Sequence, residues 1–245
     1  MDNEFYLTTE ILVKLPERYA ETVRTMSEYF IDVLSDLENL FGRLNTCELR
    51  YNDRVNQFTK QVSEDGDVRA FIELSIFNNP AHLLYCFSHE ACHYAIDRPL
   101  EEISMGLSSI EEFTCELFAT YELYKASNKA LRDGDHYIAR VMESTLSRQS
   151  TQCDHQFYEQ LKSNGIRDYL PFRIDGSVQY YLRLRGVAVF LLPLVADNPN
   201  LLKFLPRTRE IQSKTDIQHA LDYLQKTADD SYRDSLQEMI KILFP

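Results

Sequence analysis

His89 and His93 flank Glu90 in "FSHEACHYAID" (87–97), at the spacing H-E-x-x-H. On a helix, residues four apart share a face, so the two imidazoles project side by side. Neutral imidazole nitrogens bind Zn²⁺ at about 2.0–2.1 Å. Glu90 is one residue on, turned around the helix axis, where it can reach a water on the metal without competing for the metal. Two ligands and a general base of a hydrolytic zinc site are thus spelled in five residues. With six His and 20 Glu among 245 residues, a shuffled chain contains about 0.01 such motifs. The plainer alternative is a buried helix whose histidines satisfy each other or the backbone. Burying Glu90 there without a cation or partner is costly.

A third ligand should come from a nearby acid or histidine. "SSIEEFTCELFATYEL" (108–123) carries Glu111, Glu112 and Glu116. Glu112 follows His93 by 19 residues, and Glu116 lies one turn further on the same face. The reading takes Glu112 as ligand and Glu116 as the acceptor that orients a ligand histidine, His89. Glu111 and Glu116 stay open as ligands, because Ser108–Glu111 and Ser109–Glu112 each fit a capping box that would occupy the glutamate.

The positioning elements are legible in part. Asn79 suits a helix cap and Pro80 the first helical position, and Asp97, Arg98 and Pro99 predict the end of the HEACH helix. Apolar residues from Leu12 through Tyr19, Val23, Met26, Phe30, Val33, Leu34 and Leu37 recur at three-to-four spacing. They predict helix across 8–44, with Pro16 near a start. "CELRY" (47–51) and "VRAFIELSI" (68–76) alternate as strands, with Val68, Ala70, Ile72 and Leu74 on one side, and "EDGD" (64–67) between them signals a hairpin turn. Further helices are predicted near 80–96, 108–132, 136–163, 175–192, 215–228 and 230–243. The fold class is α+β, predominantly α-helical. An N-terminal lobe (1–105) holds the small sheet and the HEACH helix, and a helical lobe (106–245) carries the glutamate ligand, the two forming one catalytic unit.

A net charge of −12 and pI near 5.0 argue against a nucleic-acid groove, which needs clustered Lys and Arg. The amino terminus, "MDNEFYLTTE", lacks the basic-then-apolar pattern of a signal peptide. The most apolar run, "GVAVFLLPLVA" (186–196), is too short for a bilayer and contains Pro193. The expectation is a cytoplasmic protein without membrane or nucleic-acid partners, with signal-less export left open. Five cysteines, Cys47, Cys86, Cys92, Cys115 and Cys153, show no C-x-x-C and no disulfide framework, so reduced, packed thiols are expected.

HEACH, 18 residues, then Glu112 within "EEFTCELFATY" resembles the gluzincin metallopeptidases, the group containing thermolysin and the M1-type aminopeptidases. The resemblance covers roughly residues 68–123. It implies a zincin-like fold, in which a small sheet lies over the HExxH helix, its edge strand binds extended peptide and a helical lobe closes the cleft. Residues 68–76 are expected to be that edge strand. The implied activity is zinc-dependent peptide hydrolysis with Glu90 as general base, and the implied partner is a peptide or protein substrate. The glycine of the M1 "EGFA" run is replaced by Phe113, and no G-x-M-E-N segment precedes HEACH, which points to an endopeptidase over an aminopeptidase. Gluzincins use a downstream Tyr or His on the oxyanion. "DGSVQYYLRLRGVAVF" (175–190) offers Tyr181 for that role, although its spacing to Arg185-Gly186 departs from the family pattern. Tyr180, His155 and His219 are weaker candidates.

Two other readings remain. Glu90-x-x-His93 is also the half-motif of di-iron carboxylate bundles, but those need a second E-x-x-H, for which Asp216-x-x-His219 is the nearest echo. A non-catalytic zinc-stabilised interaction domain would usually close its metal with four protein ligands, whereas three are offered here and Glu90 is retained.

Overall fold

In the computed structural model, residues 2–65, 67–75, 78–96, 109–152, 159–160, 163–164, 178–211 and 217–244 are described. The described strands are β1 (Asp2–Tyr6), β2 (Ile11–Pro16), β3 (Cys47–Tyr51), β4 (Gln57–Val62) and β5 (Val68–Leu74). They form one mixed sheet in the order β1-β2-β3-β5-β4. The helices are α1 (Glu17–Thr25), α2 (Ser27–Phe41), α3 (Pro80–Ile96), α4 (Ser109–Asp133), α5 (His136–Gln152), α6 (Val178–Asp197), α7 (Ile217–Thr227) and α8 (Asp230–Leu243), with a 3₁₀ segment at Pro199–Glu210. The chain is mostly helical with a small sheet, as the α+β reading expects. None of the described helices is long and apolar enough to cross a membrane.

Four expectations are corrected. Residues 11–16 are strand, not helix, and helix begins only at Glu17. Ile11, Val13 and Leu15 are buried while Leu12, Lys14 and Pro16 are half-buried, a period of two that β-branched residues suit. The hairpin turn joins β5 to β4 rather than to β3, with Lys60 opposite Ala70 and Val62 opposite Val68. β4 (QFTKQV) escaped sequence reading because no residue in it is fully buried. β5 is therefore not an edge strand. It pairs in parallel with β3 and antiparallel with β4, and β4 holds the edge. The helix expected to stop at 192 also runs through Pro193 to Asp197, and residues 97–99, 153–158, 161–162, 175–177 and 215–216, where other expected helices begin, continue or end, lie outside the described residues.

The chain groups into two compact units, Met1–Leu100 with Glu122–Thr145, and Glu101–Tyr121 with Leu146–Pro245. In the first, register puts Ile11, Val13, Leu49, Ile72 and Phe58 on one face of the sheet. α3 packs on that face, where the Tyr94 ring lies 5.8 Å from Phe58. The opposite face is polar. Arg50 contacts Glu48 at 2.6 Å and covers the Phe71 ring at 3.7 Å, and Lys14 lies 3.5 Å from Glu48. α2 packs on α3 through Phe30 and Phe87, whose centroids are 4.4 Å apart, and ends at Gly42, which takes φ +86°. Asn56 ties this core together: its Oδ1 accepts from the Ser75 N–H at 2.7 Å and its Nδ2 donates to Cys86 Sγ at 3.4 Å.

In the second unit, α8 packs on the 3₁₀ segment and on α7, and α6 packs on the same 3₁₀ segment. Phe204 of that segment stacks at 6.4 Å on Phe113 of α4. The four described cysteines are buried and form no disulfide with one another. Burial pushes the Cys47 thiol up to about 12, so it stays protonated and unreactive at neutral pH. Cys153 lies outside the described residues.

Phe87 is fully buried against Phe30 where α2 crosses α3. Phe87→Ala should cost about 3–5 kcal/mol of stability, read as a fall in the urea midpoint at unchanged slope.

Candidate metal centre

α3 starts where its sequence dictates. Asn79 Oδ1 accepts from the His82 N–H at 3.0 Å, and the Asn79 carbonyl accepts from the Leu83 N–H at 2.8 Å. Pro80 takes the first position, where a missing N–H costs nothing. Of 17 residues, 14 are buried, so α3 is buried nearly all round rather than amphipathic. Every polar side chain on such a helix needs a partner. Ser88 finds one locally, donating to the Leu84 carbonyl at 2.8 Å. Glu90 and His93 are buried at 7% and 6% exposure, in a helix whose other residues are mostly Leu, Ala, Cys, Phe and Tyr.

The helical spacing brings the histidines together. His89 Nε2 and His93 Nε2 are 3.2 Å apart, with the rings edge-on at 69°. Two nitrogens at about 2.05 Å from one tetrahedral ion would stand about 3.3 Å apart, so the pair has the separation a shared metal needs. Among the described residues, one group offers three potential ligand atoms within 4.8 Å of one another, from His89, His93 and Glu112. The donor set, two imidazoles and a carboxylate, could hold a metal ion.

α4 carries an unusual load of buried carboxylates. Glu111, Glu112, Glu116 and Glu122 are each at most 4% exposed. Of the three glutamates left open as ligands, Glu112 is the one in the histidine cluster. Glu116, one turn on, has its Oε2 3.7 Å from Arg185 Nε on α6. Sequence reasoning did not name Arg185 as a partner for Glu116. The signal was present, since an arginine within the apolar run "YYLRLRGVAVF" implies an acidic neighbour. Tyr181 is half-buried and makes an edge-on ring contact with the buried Tyr180 at 5.4 Å. His219 is exposed on α7, whereas His155, Asp216 and Ser108 lie outside the described residues.

No protein-family model matches the chain, and no curated protein is significantly similar to it.

Because Asn79 holds the first turn of the helix that carries both histidines, Asn79→Ala should lose about 1 kcal/mol. Asn79→Ser should recover most of it, as judged by chemical denaturation of the two variants beside the parent.

Proposed function

We propose that the chain is a zinc-dependent metallopeptidase of the gluzincin kind, hydrolysing peptide bonds within extended substrates. One observation carries the reading: the ligand atoms of His89, His93 and Glu112 converge within 4.8 Å, with the two Nε2 atoms 3.2 Å apart. The i,i+4 histidine pair alone could be core packing. A third ligand type, the buried carboxylate of Glu112, is what supports a metal over packing alone. The burial of Glu112 and Glu90 supports it further, since anions taken out of water need positive charge nearby.

His89, His93 and Glu112 would hold the ion. A bound Zn²⁺ supplies Lewis acidity, lowering the pKa of water at the open position and polarising the scissile carbonyl. Glu90, adjacent to a ligand but not one itself, takes the proton of the attacking water on its carboxylate and delivers it to the leaving amine. Glu116 keeps the ligand helix charged and ordered, with a ligand histidine, His89, as the group it orients. Tyr181 is the residue assigned to stabilise the oxyanion through its hydroxyl. Extended substrate adds to the free edge of β4, since β5 already pairs on both sides.

Protein purified without chelator should contain one zinc per chain by elemental analysis. His89→Ala and Glu112→Gln should lose it, while Glu116→Gln should bind about 10–100-fold more weakly. Two irons per chain, or zinc retained by Glu112→Gln and lost by Glu116→Gln, would reverse the ligand assignment.

Glu90→Gln should fold, retain zinc and cleave a diverse peptide library about 10²–10⁴-fold more slowly than the parent. Equal cleavage by both proteins removes Glu90 from the chemistry. Retained zinc with no cleavage by either protein favours a zinc-stabilised interaction domain.

A further inference from the structure

Near Tyr94, the face of the sheet that α3 covers opens into a cavity of about 670 Å³, the size of a small-ligand site. Its described lining belongs to the first compact unit. Phe58 and Ile72 face α3, so Lys60, Ala70 and Val68, two and four residues from them in the paired strands, face the same way. Ala70 and Val68 give the cavity a small, apolar floor, and Tyr94 stands beside it.

The rim is held in place. α2 ends at Gly42, whose φ of +86° turns the chain into residues 43–46. Leu44 is 7% exposed and anchors this loop in the core. The Tyr94 hydroxyl donates to the Asn45 carbonyl, and the Cys47 N–H donates to the Glu10 carbonyl at 2.8 Å. These attachments fix the loop that carries Arg43 to the cavity, so little ordering is left to be done on binding.

Charge decides what such a cavity takes. Among the described residues its charged lining is Arg43, Lys60 and Glu10, a local excess of positive charge in a chain of net charge −12. The one acid is already engaged, since Glu10 Oε1 accepts from the Thr9 hydroxyl at 2.5 Å. Arg43 makes no ion pair with any described residue, although Glu10 lines the same cavity. Its guanidinium presents a planar fork of donors that matches a carboxylate. The Lys60 ammonium lies on the same side of the sheet, 6.0 Å from the centre of the Phe58 ring.

We propose that this cavity binds the carboxylate of a ligand with an apolar stem. Arg43 takes the carboxylate, Lys60 adds a second positive charge, and Ala70, Val68 and Tyr94 receive the stem. The carboxylate belongs to a free organic acid or to an acidic side chain of a peptide added along β4, whose alternate side chains would point to this face. The peptide source rests on the peptidase reading. The site itself uses none of His89, Glu90, His93 and Glu112.

The test is calorimetric titration of the full chain with two acids, each beside its uncharged counterpart. One pair is 3-phenylpropionate and its amide. The other is an end-blocked peptide with one glutamate between apolar residues, and the same peptide with glutamine. At least one acid should bind about tenfold or more tightly than its counterpart, as a hydrogen bond to a charged group predicts. Binding by the free acid alone assigns the site to small molecules, and binding by the peptide alone assigns it to substrate. Arg43→Gln and Lys60→Gln should each weaken binding about tenfold. Ala70→Leu, which fills the floor and leaves both cations, should weaken it as well. Arg43 is exposed, so Arg43→Gln should keep the parent's urea midpoint, and its weaker binding is then no folding defect. The proposal is overturned if neither acid binds, if the uncharged counterparts bind equally well, or if Arg43→Gln binds as the parent does. None of these readouts involves the metal, so failure of this site and failure of the peptidase reading are separate results.

Discussion

A helix buried on almost every side carries two imidazoles and a carboxylate, and the rest of the structure answers to that constraint. Leu83, Leu84, Phe87, Ala91, Cys92 and Ile96 are essentially without exposure, so α3 lies in the core of its unit. Polar groups there must be satisfied by one another or by something brought to them. His89 and His93 meet at 3.2 Å because four helical residues return the chain to the same face. Their tolerance in such a setting is the physical root of the metal reading.

Around α3 the architecture supplies rigidity. The sheet presents Ile72, Leu49, Val13 and Phe58 to the helical side, while a lattice of Lys14, Glu48, Arg50 and Glu4 covers the other. Such exposed pairs add little energy each; their effect is to keep one face wet and the other dry, which fixes strand register. The Asn56 hub does similar work at smaller scale. A single amide joins β4, the end of β5 and α3, leaving little freedom in how the sheet meets the helix.

α4 sets a second constraint. Four buried glutamates on 25 residues make it a helix whose stability depends on its neighbours' charges. Three of them have different neighbours: Glu112 lies among the histidines, Glu116 beside Arg185, and Glu122 3.5 Å from Lys125. Helix propensity tolerates glutamate well, so the secondary structure could form from local preference while the placement of charge was decided by long-range contacts.

Sequence alone sufficed where the determinant was local. The HEACH spacing, the Asn79 cap with Pro80, the end of α4 and the extent of α8 follow from helical geometry and nearest-neighbour chemistry, and the structure places them within a residue or two of expectation. Of Glu111, Glu112 and Glu116, spacing preferred Glu112 without settling the matter; its place in one group with His89 and His93 is a matter of tertiary structure, not of local sequence. Tertiary structure decided the sheet. Ile11–Pro16 reads equally as the head of a helical stripe or as a strand until β1 and β3 pair with it, and Gln57–Val62 is a strand only because β5 lies beside it. Strand pairing is a contact between distant residues and leaves only a faint period of two in each partner, whereas a helix closes its hydrogen bonds within its own four residues and so writes itself into the sequence.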